Sequence, residues 1–97
     1  MWEVDYSMQK RTFIKREKTG LSSWSIEKKG KSLIITIITP EELKQGSLGE
    51  QNKIEFKNKN EVNINYDNQI NERLEEGYIA KEDFFYFDEN GLLKTNY

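Results

Sequence analysis

Ser32-Leu33-Ile34-Ile35-Thr36-Ile37-Ile38-Thr39-Pro40 is the stretch that decides the fold class of this chain. It is β-branched almost throughout, and residues on both alternating faces are apolar. That pattern predicts a central strand covered on both sides. Pro40 ends it, because proline has no N–H to give to a strand ladder. Just upstream, Lys29-Gly30 supplies a tight turn, since glycine accepts positive φ at no steric cost. Before that turn, Trp24, Ile26 and Lys28 alternate with Ser23, Ser25 and Glu27. A period of two predicts a half-buried strand with Trp24 and Ile26 inward. Residues 17–22 read as a polar turn, and Arg11-Thr12-Phe13-Ile14-Lys15 as a short first strand.

Downstream, residues 41–51 read as a polar loop containing Gly46 and Gly49. Lys53-Ile54-Glu55-Phe56-Lys57 alternates again, with Ile54 and Phe56 inward. Asn58-Lys59-Asn60-Glu61 then fits a capping box, in which Asn58 accepts from an orphan N–H and Glu61 reaches back. Val62, Tyr66, Ile70 and Leu74 recur every fourth residue and form one apolar stripe of a helix. Gly77 is placed to end that helix in the left-handed conformation. Ile64 and the asparagines at 63, 65, 68 and 71 weaken the helix, so it needs the sheet to hold it. Tyr78-Ile79-Ala80 and Phe84-Phe85-Tyr86-Phe87 follow, then the turn signal Asp88-Glu89-Asn90-Gly91 and a short return through Leu92-Leu93-Lys94.

Consecutive strands joined by short turns imply an antiparallel meander. The expectation is an α+β fold: a meander of four to five strands, one main helix packed on one face, and a C-terminal aromatic hairpin or extension. The 97 residues are enough for one domain. A domain of this size buries roughly 60–65% of the surface its unfolded chain exposes. Only 35% of residues are hydrophobic, but 12% are aromatic, so the core should be few in residues and rich in rings and isoleucine.

Composition also narrows the chemistry. The sequence has no cysteine and no histidine. That removes disulfides, thiolate metal sites and the commonest general base. No P-loop, dinucleotide fingerprint or nucleophile–base pattern is present. Glu41/Glu42, Glu75/Glu76 and Asp88/Glu89 are adjacent pairs whose carboxylates point apart and read as solvated surface. The expectation is therefore a protein that is not an enzyme and holds no cofactor and no metal. Charged and aromatic residues follow Met1, so no signal peptide is visible. The longest apolar stretch, residues 33–38, is far short of the roughly 20 that span a bilayer. No membrane association and a cytoplasmic location are expected. Abundant Lys, Ile and Asn with a single Ala, Ala80, point to an AT-rich genome and a bacterial source.

The net charge of −2 hides an asymmetry. Residues 1–31 carry eight basic groups against four acidic ones, and the remainder seven against thirteen. Such a split marks either a polyanion-binding face or an ordinary solvated surface. The candidate nucleic-acid contacts are Lys10, Arg11, Lys15, Arg16 and Lys18 on the first hairpin. In the run of four aromatics, alternate rings share a face, which makes Phe85 and Phe87 a candidate protein-interaction surface. Trp24 reads as a core ring in preference to a stacking platform. Gly77-Tyr78 reads as a helix stop and a packed ring.

Arg11-Thr12-Phe13, Trp24-Ser25-Ile26, Gly30-Lys31, Gly46-Ser47-Leu48-Gly49-Glu50-Gln51, Lys53-Ile54-Glu55-Phe56, Tyr66, Ile70, Arg73 and Gly77-Tyr78 occur in the order and approximate spacing of a WGR domain. The resemblance covers about residues 10–79 of a single domain spanning 1–97, with 80–97 as a C-terminal extension. It implies a small antiparallel sheet with one helix against it. It also implies a non-catalytic module that binds nucleic acid or other proteins. In the polymerases that carry this domain, the Trp and Arg of the Trp-Gly-Arg tripeptide contact DNA. Here that position holds Thr39-Pro40-Glu41-Glu42-Leu43-Lys44-Gln45. The stacking ring and the phosphate-clasping guanidinium are both missing, and carboxylates stand nearby. Since phosphate neutralisation supplies most nonspecific affinity, the sequence favours a protein partner, with nucleic acid bound by the basic first hairpin as the alternative.

Overall fold

Two-residue turns set the sheet. In the computed structural model, which describes residues 10–96, strand β1 (Arg11–Glu17) turns through Lys18 and Thr19 into β2 (Gly20–Lys29). Gly30 and Lys31 then lead into β3 (Ser32–Ile38). The expected turn over residues 17–22 is thus shorter than its polar composition suggested. Glu17 and Gly20 pair across the strands, and only Lys18 and Thr19 bend. After a short helix α1 (Pro40–Lys44), β4 (Glu50–Glu55) pairs with β3. Helix α2 (Lys59–Glu75) follows, then β5 (Ile79–Ala80), a helical turn α3 (Lys81–Phe84), and the hairpin β6 (Phe85–Phe87) with β7 (Leu93–Thr95). The main sheet has the order β4-β3-β2-β1-β5, every pair antiparallel, and β6-β7 forms a separate two-stranded sheet. The α+β meander with one main helix is the architecture expected from the sequence.

The pairing register explains the core. Phe13, Trp24 and Ile37 share one cross-strand row, with Ile26 and Ile35 in the next and Leu33 beside them. These side chains point to one face, and α2 lays Val62, Tyr66 and Ile70 against it. Trp24 is 2% exposed and its ring centroid lies 5.9 Å from that of Phe13. The core is as ring-rich as the composition demanded.

The opposite face corrects the expectation that β3 is covered on both sides. There the row is Thr12, Ser25, Thr36 and Gln51, all short or polar. Thr12 Oγ1 and Ser25 Oγ are 3.0 Å apart, and Gln51 Nε2 donates to Thr36 Oγ1 at 3.5 Å. Ile34 and Ile38, flanking that row, are only half-buried. Their β-branched side chains suit a pleated backbone, and the sequence pattern could not separate that preference from burial.

Three end effects also differ from expectation. Residues 41–51 are not all loop, because Pro40–Lys44 is helical. Thr39 Oγ1 accepts from Glu42 N at 3.2 Å, and Thr39 N donates to Glu42 Oε1 at 2.9 Å, a complete capping box. At α2 the box is only half as expected. Asn58 Oδ1 accepts from Glu61 N at 2.9 Å, but Glu61 Oε1 takes the N–H of Lys57. Ile54 and Leu74 face the core from its margins. Edge strand β4 leaves Ile54 39% exposed, and Leu74, one turn past the sheet's cover, is 47% exposed.

Gly77 ends α2 as expected, with φ +104. Tyr78 N donates to Arg73 O at 3.0 Å and Gly77 N to Leu74 O at 3.1 Å, the two bonds of a Schellman motif. This turns Tyr78 back onto the core.

Candidate interaction surface

The five basic residues of the first hairpin do not gather into one patch. They run the length of β1, which at about 3.3 Å per residue separates Lys10 from Lys18 by roughly 26 Å. Alternation puts Arg11 and Lys15 on the α2 side and Arg16 on the other. Each of these three lies over a ring. The Arg11 guanidinium carbon is 4.9 Å from the Phe13 centroid, Lys15 Nζ is 5.8 Å from that of Tyr78, and the Arg16 guanidinium carbon is 5.7 Å from that of Phe84. Arg11 also bridges Glu82 at 3.5 Å, and Arg16 donates to Thr95 Oγ1 at 3.4 Å. Lys10 and Lys18 are exposed at opposite ends of the strand.

The same use of cations recurs between β2 and α2. Lys28 Nζ sits 4.5 Å above the Tyr66 ring and donates to Asn63 Oδ1 at 2.9 Å. The Arg73 guanidinium carbon lies 5.3 Å from the Trp24 centroid. Arg73 NH2 bridges Glu72 at 3.0 Å, and its Nε is 3.4 Å from Glu76 Oε1 without hydrogen-bond alignment. Five such cation–ring contacts occur among the described residues. Burial raises the Tyr66 phenol above its ordinary pKa of 10.0, the Arg11 charge opposes this, and Asp67 adds to it.

The aromatic run is split between two elements, contrary to the reading of one continuous strand. Phe84 closes the helical turn α3 and is buried, while Phe85, Tyr86 and Phe87 form β6. The turn signal at 88–91 is real. Asp88 Oδ1 accepts from Asn90 N and Leu92 N, both at 2.9 Å. The hairpin is tied down where Asn96 N donates to Phe84 O at 2.9 Å and Asn96 Nδ2 to Asp83 O at 2.8 Å.

Register puts Phe85, Phe87, Leu93 and Thr95 on one face of this hairpin. Phe85, Phe87 and Leu93, with Lys81 and Glu82 of α3, line an open, largely apolar groove of about 540 Å³. Phe87 is 71% exposed and Leu93 58%. The structure therefore brings the two aromatic candidates, Phe85 and Phe87, together. Leu93, Lys81 and Glu82 were not singled out in the sequence. The signal for Leu93 was its position opposite Phe87 across the Asp88–Gly91 turn. Nothing in the local pattern distinguished Lys81 and Glu82.

Residues 40–44 form α1, and the Glu42 carboxylate is engaged by that helix's own cap. Among the described residues no group of three or more metal-ligating side chains converges, and no helix is long and apolar enough to cross a membrane. No protein-family model, curated protein or solved structure matches this chain.

Proposed function

We propose that this chain is a non-catalytic binding module of WGR type that engages a partner protein through the groove of its C-terminal hairpin. The observation that carries this reading is the exposure of Phe87 and Leu93 side by side on an ordered hairpin. Covering their exposed parts with a partner's apolar side chains contributes about 2–4 kcal/mol before association costs. A two-stranded sheet also has open edges, and an isolated hairpin is marginal in water. An extended apolar segment of a partner suits both needs, because it adds backbone hydrogen bonds at an edge and side chains in the groove. Composition supports a bacterial cytoplasm as the setting.

Selection of a displayed peptide library against the purified chain tests the proposal. The expected result is a family of peptides with alternating apolar residues, whose binding is lost in Phe87→Asp. Recovery of no peptide, or of peptides indifferent to Phe87→Asp, sinks it. The second reading, nucleic acid on the basic first hairpin, is favoured only by the exposed Lys10 and Lys18. Titration with short DNA and RNA at low and moderate salt decides it. Salt-sensitive binding at micromolar protein supports it, and none refutes it.

A further inference from the structure

Strand β4 is an edge of the main sheet, and all six of its residues, Glu50–Glu55, are exposed. Helix α2 packs over β2 and β3, inward from that edge. Phe56 N donates to Lys31 O at 2.9 Å. Bonded pairs alternate along an antiparallel ladder, so residues 50, 52, 54 and 56 turn their backbone groups to β3. Gln51, Lys53 and Glu55 turn theirs away from the sheet. Such a row of outward donors and acceptors is a template for one more strand. The opposite edge, β5, is two residues long and offers no comparable run.

The side chains of this edge select the strand that fits it. Lys53 and Glu55 stand on the face away from the core, with Nζ 3.8 Å from Oε2, and both are mostly in water. Ile54, between them, stands on the core face and is 39% exposed. A second copy of the chain, laid antiparallel with Ile54 opposite Ile54, puts Lys53 of each copy across from Glu55 of the other. These are the residues whose backbone groups point outward, so they form the bonded pairs of the new ladder. Their four charges alternate in sign around the two-fold axis. The two Ile54 residues make the non-hydrogen-bonded pair, in which Cα atoms are only about 4.5 Å apart. Sliding the second copy by two residues sets Lys53 against Lys53 or Glu55 against Glu55, and like charges directly opposite destabilise a strand pair. Sliding it by one presents backbone groups already bonded to β3.

We propose that the chain forms a two-fold dimer through β4 in this register, joining two five-stranded sheets into one continuous sheet. A strand paired antiparallel with its own copy closes the assembly at two chains. The edge lysine that discourages pairing with an arbitrary strand is matched where an acid stands opposite it, and the second copy supplies that acid. The inference does not rest on the hairpin groove, which is lined by α3 and the hairpin at the other side of the sheet, where α3 packs on β1 and β5. Where the groove takes a partner, the dimer presents two grooves, and a partner with two apolar segments gains avidity.

Sedimentation equilibrium of the full chain from micromolar to millimolar concentration tests this, with circular dichroism confirming that each variant folds. Wild type should pass from monomer to dimer. Lys53→Glu and Glu55→Lys each set two pairs of like charges across the interface, and each variant alone should associate about tenfold more weakly. Mixed in equal amounts, the two variants should pair with each other as tightly as wild type does, because every opposed pair is again a lysine with a glutamate. The doubly exchanged chain, Lys53→Glu with Glu55→Lys, should dimerise likewise. Phe87→Asp should leave the dimer intact. A wild-type chain that stays monomeric throughout, single variants that dimerise as wild type does, or a mixture that fails to recover the pairing overturns the proposal. Loss of the dimer in Phe87→Asp overturns it too, and assigns self-association to the hairpin groove.

Discussion

Gly49→Ala should be far more damaging than Gly46→Ala, although both glycines sit in one exposed loop with positive φ. Their φ values are +83 and +76, so each alanine meets the same left-handed backbone strain, about 1–2 kcal/mol. Their surroundings differ. A Cβ at Gly46 meets nothing within 4 Å. A Cβ at Gly49 meets Ile37 O and Ile38 Cγ1, both at 2.5 Å. Ile37 O belongs to the β3 backbone, so the loop or the strand must move, which adds about 1–3 kcal/mol. The expected loss is about 1–2 kcal/mol for Gly46→Ala and about 2–5 kcal/mol for Gly49→Ala. For a domain of this size each kcal/mol lowers Tm by about 4–8 °C. Urea unfolding of both variants beside wild type, followed by tryptophan fluorescence with m checked for constancy, measures the difference. Equal midpoints for the two variants would refute the close approach of this loop to β3, and with it the placement of β4 at the sheet edge.

Other outcomes follow from the same geometry. Asn58→Ala should lower stability by about 1 kcal/mol, read in urea, because Glu61 N loses its cap. Trp24→Ala should cost about 3–5 kcal/mol, since its ring fills the centre of the core, and calorimetry will register it. Phe87→Ser should leave stability within about 0.5 kcal/mol while abolishing peptide binding, because the ring is mostly in water. Tyr66 gives a pH signature. Its folded pKa lies above the unfolded value of 10.0. The folded state therefore holds the phenolic proton more tightly, and the associated stability is intact below about pH 10 and lost as pH rises through the folded pKa. Unfolding free energies from pH 8 to 11 should fall less steeply in Tyr66→Phe than in wild type.

The sheet and the main helix were legible because their signals are local. Trp24 and Ile26 alternate with serines, Gly77 follows an apolar stripe, and Asp88 precedes a turn with glycine at its end. Part of what escaped depended on partners distant in the chain. The run of isoleucines from 34 to 38 shows β preference but not which face has a layer over it. The Thr12–Ser25–Thr36 hydroxyl row that answers this exists only once three strands are aligned. Thr39-Pro40-Glu41-Glu42 carried a capping box, obscured by reading Pro40 solely as a strand stop, whereas proline also opens helices. The helical turn that removes Phe84 from the aromatic strand has no side-chain cap at Ala80 to announce it.

The charge asymmetry that suggested a polyanion surface has a physical cost in this fold. The charged groups of Arg11, Lys15, Lys28 and Arg73 lie over the rings of Phe13, Tyr78, Tyr66 and Trp24, and long cationic side chains shield apolar surface beneath them. A phosphate backbone laid along β1 would draw Arg11 and Lys15 off these rings and open the core to water. It would also have to displace Glu82 from Arg11. Filling the hairpin groove requires no such exchange, because Phe87 and Leu93 are already exposed and lie outside the main core cluster. Binding along β1 and folding thus compete for the same cations, whereas binding at the hairpin and folding are nearly independent. That independence is the physical ground for proposing the C-terminal hairpin as the site of a partner.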